Sequence, residues 1–70
     1  MLHEKFNLNK ISDPDGFTNL RKEKNTSSEI LQKITAGTKI QILENLGDWW
    51  LVQTKEGKKG YVYKTKIKAE

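Results

Sequence analysis

Seventy residues make one small domain, which buries only ~60% of the surface its unfolded chain exposes; a substrate cleft between two subdomains is excluded. With no cysteine in the chain, a disulfide framework and a thiolate zinc site are excluded as well. Thirteen Lys and Arg against nine Asp and Glu give a net charge of +4, and the stretch from Lys55 to Lys68, with six lysines and one acid, carries the whole excess.

The first ten residues, Met1 to Lys10, show no sustained period and read as part of a leader over residues 1–11; Phe6, Leu8 and Ile11 alternate in a way that allows a short extra strand there. From residue 12 to residue 70 the chain reads as one domain. Asp13-Pro14-Asp15-Gly16 is a turn: proline presets its own φ, aspartate side chains bond nearby amides, and glycine accepts a positive φ. Two carboxylates beside a glycine lack the spaced oxygen ligands and distant glutamate of a calcium loop, so no metal is expected. Phe17 to Arg21 is a strand with Leu20 inward and Asn19 and Arg21 outward. The polar stretch Lys22 to Ser28 is a loop, which Arg21 is placed to order.

Glu29 to Ile34 is the next strand, Ala36-Gly37 a turn, and Thr38 to Glu44 a strand with Ile40 and Ile42 inward. Asn45-Leu46-Gly47-Asp48 turns the chain into Trp49-Trp50-Leu51-Val52. A Gly-bearing turn at Glu56-Gly57 then leads to Gly60-Tyr61-Val62-Tyr63, and Thr65 to Lys68 closes the chain with Ile67 inward. Short strands about every ten residues, with turn signals between them, describe an all-β barrel or sandwich. The expected core is Leu20, Ile30, Ile34, Ile40, Ile42, Val52, Val62 and Ile67, with Leu31, Leu43 and Trp50 partly covered.

The two aromatic strands form an antiparallel hairpin. If Val52 and Val62 face the core, the two-residue period turns Trp49, Leu51, Tyr61 and Tyr63 to the other side. So small a domain gains little from exposing such a cluster unless something covers or binds it. Trp49, Tyr63, Tyr61 and Phe17 are therefore the candidate ligand contacts. Catalysis finds no support, because the single histidine, His3, is far along the chain from Ser27 and Ser28, and every carboxylate is expected in a turn or loop open to solvent.

Asp13-Pro14-Asp15-Gly16-Phe17-Thr18-Asn19-Leu20-Arg21, a polar loop, Gly37-Thr38-Lys39-Ile40, Gly47-Asp48-Trp49-Trp50-Leu51-Val52 and Gly60-Tyr61-Val62 occur in the order and spacing of a known family. From residue 12 to residue 68 the chain closely resembles bacterial SH3 domains of the SH3b, or SH3 type 3, group. The resemblance implies a small SH3-like barrel of five to six antiparallel strands. It also implies a noncatalytic module of the kind appended to cell-wall hydrolases or exported proteins, where it binds peptidoglycan or short peptides. Eukaryotic SH3 domains are a looser likeness: their Ala-Leu-Tyr-Asp-Tyr run is absent, and the Pro and Tyr of their later groove motif correspond here to Tyr63 and Lys66. With half the aromatic ridges missing, polyproline recognition is not expected.

The expected function is recognition of a cell-wall peptide or glycan, or of a protein segment, by a monomer without cofactor or membrane span. One alternative is a small cytoplasmic protein that docks on a partner, as an inhibitor or immunity factor does. Another is nucleic-acid binding through the lysine-rich C-terminal third, disfavoured because Arg21 is the only arginine. The expected location is extracytoplasmic or wall-associated if the chain belongs to a longer exported protein, and cytoplasmic if it stands alone.

Overall fold

The computed structural model of the protein describes residues 9–69. Seven strands occur in them: β1 (Asn9–Ile11), β2 (Phe17–Arg21), β3 (Ile30–Thr35), β4 (Lys39–Glu44), β5 (Trp49–Gln53), β6 (Lys59–Tyr63) and β7 (Ile67–Ala69), with a 3₁₀ turn over Lys64–Lys66. All pairings are antiparallel, in the order β3-β2-β6-β5-β4-β1-β7. The all-β class and the small SH3-like architecture hold, with the sheet left open between its edges β3 and β7. The strand count exceeds six because β1 adds a short strand between β4 and β7. Phe6 and Leu8, which suggested a strand in this region, lie outside the described residues.

Alternation explains the core. Ile11, Leu20, Ile34, Ile40, Val52, Val62 and Ile67 are buried, and Leu31, Ile42 and Trp50 pack against them. Each fully buried aliphatic side chain is worth ~1.5–3 kcal/mol of gross burial, most of it offset by chain entropy. Ile11 was not expected in the core. It is 1% exposed because backbone bonds from the Ile11 amide to the Thr38 carbonyl (2.9 Å) and from the Gly37 amide to the Ile11 carbonyl (2.7 Å) draw β1 onto the barrel.

Two bulges change the expected phase. Leu20 opposes Gln32 while Arg21 opposes Ile30, so Leu31 is an extra residue that reverses the alternation of β3. Ile30, expected inside, is consequently 49% exposed on the side of Arg21, and Leu31 fills the core edge instead. On β4 the shift falls between Ile42, opposite Val52, and Glu44, opposite Leu51. Leu43 is the extra residue and is 38% exposed rather than covered, whereas Ile42 is only partly buried.

Turn chemistry holds the strand ends. The Gly16 amide bonds the Asp13 carbonyl at 2.9 Å and the Asp15 amide bonds Asp13 Oδ1 at 2.8 Å, with Gly16 at φ 90°, a value that favours glycine. Trp50 Nε1 donates to the Gly47 carbonyl at 3.1 Å and so braces the turn before β5. Trp50→Phe keeps most of the packing and loses this solvent-exposed bond. The expected cost is about 0.5 kcal/mol, read as a small drop in the urea midpoint at unchanged slope; an unaltered midpoint would show that the bond is idle.

Candidate functional site

β2 joins β6 at a single pair, Arg21 opposite Tyr61. Beyond it β2 pairs with β3 and β6 with β5, and a groove of about 430 Å³ lies between them. Phe17, Asn19 and Arg21, the outward positions of β2, line one side, and Trp49 and Tyr63, opposite each other on β5 and β6, line the other. The Trp49 and Tyr63 rings meet edge to face, with centroids 5.3 Å apart and planes at 74°. Such a contact fixes the indole orientation without covering its outer face. The Lys33 ammonium lies 4.5 Å from the Phe17 ring centroid, a cation–π contact that holds Phe17 at the groove wall.

Of the four candidate contacts, the structure brings Trp49, Tyr63 and Phe17 together in this groove. Tyr61 faces outward on the same hairpin, but it lies beyond the groove, opposite Leu51 and Arg21, with Lys24 Nζ 5.5 Å from its ring centroid. Alternation alone could not separate Tyr61 from Tyr63. The separation comes from where β2 leaves β6, which depends on tertiary pairing.

Asp13, Asp15 and Lys66 also line the groove and were not singled out from the sequence as ligand contacts. Lys66 Nζ and Asp13 Oδ2 are 3.1 Å apart, and the Asp13 side chain is only 5% exposed. The hydrogen bond from the Asp15 amide, and after it the Lys66 ammonium, hold the Asp13 carboxyl below its ordinary value of 3.8. The Pro-Asp-Gly turn was the only legible signal for this corner; Lys66 reaches it through the 3₁₀ turn. A group whose folded pKa is depressed stabilises the fold above its unfolded pKa, and that contribution is lost as pH falls through the lower folded value. Asp13→Asn is therefore expected to melt earlier than the parent at neutral pH and to lose less on acidification below pH 3.8. Thermal melts at neutral pH and near pH 2 read this, and parallel losses in both proteins would contradict it.

Arg21 orders the polar loop: Nη1 donates to the Ser28 carbonyl at 2.9 Å. The Glu23 amide bonds Ser28 Oγ at 3.2 Å, and the Ser27 amide bonds Asn25 Oδ1 at 3.0 Å, so the loop is tied by its own side chains. The loop contributes Thr26 to the groove. On the far side, Asp48 is paired with Lys64 at 3.1 Å, an exposed ion pair of little energetic weight.

The model of the family described as bacterial SH3 domain matches residues 16–68, most of the chain. The chain belongs to the bacterial SH3 family. The match covers the strands from β2 into β7, and with them the groove's three aromatic residues. No curated protein and no solved structure matches this SH3 domain. Membership supports a binding module in general, in a family generally without catalytic activity. Among the described residues no helix is long and apolar enough to cross a membrane.

Proposed function

We propose that this bacterial SH3 domain is a noncatalytic recognition module, acting as a monomer, whose groove between β2 and the β5–β6 hairpin receives a cell-wall peptide or glycan, or an extended segment of another protein. One observation carries the reading: Phe17, Trp49 and Tyr63, from three separate strands, converge on a single open groove. Aromatic walls give large, rigid contact area at low entropic cost and stack on peptide or sugar faces. The Asp15 carboxylate and the Asn19 amide border the groove on the β2 side and supply the few polar contacts that fix a ligand's orientation.

Retention on purified peptidoglycan, followed by titration with soluble peptide and glycan fragments released from it, tests the proposal. Retention that depends on Trp49 supports it. Retention unaffected by Trp49→Ala would move the ligand away from this groove, and no retention by either form would remove the wall ligand.

A further inference from the structure

A second face, independent of the aromatic groove, is defined by strand register. Lys10 of β1 lies directly opposite Lys39 of β4 on one side and Lys68 of β7 on the other. The neighbouring residues Ile11, Ile40 and Ile67 are buried, so alternation turns the three lysines outward. Adjacent strands run about 4.8 Å apart, and like charges placed opposite one another at that spacing repel and weaken the sheet.

The row continues on the same face. Gln41, two residues beyond Lys39, opposes Gln53, and Gln53 opposes Lys59. Among the described residues this one row, running through Lys59, Gln53, Gln41, Lys39, Lys10 and Lys68, holds two amides and four lysines, and the outward aromatic rings of β5 and β6 lie farther along those strands. A hollow of about 300 Å³ lies beside the row, with Gln41, Gln53 and Lys55 in its wall. Glu56, next to Lys55 along the chain, has its carboxyl held below its ordinary range by its own backbone amide first, then by Thr54 and Gln32 and by the charge of Lys55. Lys39 already takes part in an interaction, and Lys10, Lys55, Lys59 and Lys68 are the cations this face offers to a ligand.

We propose that this face binds a linear phosphodiester polymer without nucleobases, of the small-polyol type. Lysine ammonium groups act as point charges for phosphate, and an anionic chain laid along the row relieves the repulsion between Lys10 and Lys68. The row itself holds neither the arginine forks that read bases nor the aromatic rings that stack on them. The side-chain amides of Gln41 and Gln53 supply the hydrogen bonds that polyol hydroxyls use.

The test is a titration of the full chain with poly(glycerol phosphate) from low to physiological salt, beside single-stranded DNA of equal charge. The expected result is binding to poly(glycerol phosphate) tighter than to the DNA, weakening with salt. For single strands the slope is about −0.7 per phosphate contact, so the double variant Lys10→Gln, Lys68→Gln should flatten it by about 1.4. Lys55→Gln with Lys59→Gln should flatten it similarly, and keeps the test open if the first variant fails to fold. No binding at low salt, a slope unchanged in a folded variant, or DNA bound as tightly through the same lysines would each overturn the proposal.

Discussion

Gly60→Ala is expected to destabilise the domain by about 1–3 kcal/mol, although it adds a single methyl group. Gly60 is buried in β6, at the place where β2 crosses onto that strand. A Cβ there would stand 2.7 Å from Leu20 Cγ and 2.8 Å from the Arg21 carbonyl oxygen. Neither neighbour can give way: Leu20 is fully buried, and the carbonyl belongs to the one residue that pairs β2 with β6. A domain of 70 residues has a net stability of roughly 4–10 kcal/mol, so the loss is a large fraction of the whole. Urea denaturation followed by tryptophan fluorescence measures it. A variant with the parent's midpoint would show that β2 and β6 are not in close contact at this crossing. Because the same crossing bounds one end of the groove, a folded Gly60→Ala should also bind ligand more weakly.

Trp49→Ala is expected to leave the fold intact and to weaken ligand binding by about 30-fold or more, the loss typical of an aromatic hot spot of 2 kcal/mol. Trp49 is half-buried on the outer side of β5, against Tyr63, and is not a member of the buried core. Its removal takes away one wall of the groove while Val52 and Val62 still hold the hairpin. Trp50 remains as the fluorescent reporter, and a melting temperature close to the parent's separates lost contact from lost structure. Equal affinity in the two proteins would mean that the indole is not a ligand contact.

Much of the fold was legible because the chain is locally consistent. Turn residues fall between alternating runs, and Val52 and Val62 are inward as the pattern requires. The misplaced residues share a cause, since Leu31 and Leu43 are each an extra residue opposite a shorter partner run. A bulge is a property of two paired strands, so Ile30 and Leu43 could not be phased from their own neighbours. Ile11 was missed for a related reason: its burial depends on pairing with β4 and β7, distant in sequence.

The candidate site was legible in part. The clustering of Trp49 with Tyr63 followed from alternation within one hairpin, whereas the approach of Phe17 needed β2 to pair with β6 and then diverge. Asp13 and Lys66 are 53 positions apart, and nothing local to either announces their contact. The lysine row is legible only from register, because a count of lysines does not reveal which of them stand opposite one another.

The claim that the groove is the recognition surface is tested most directly by two-dimensional amide NMR during titration with soluble peptidoglycan fragments. Trp49 and Trp50 each give a separate indole N–H resonance. The Trp49 indole and the amides of Phe17, Asn19 and Tyr63 are expected to shift together, while the Trp50 indole, bonded to Gly47, stays nearly still. Ligand-dependent shifts that spare Trp49 and gather on another face would contradict it.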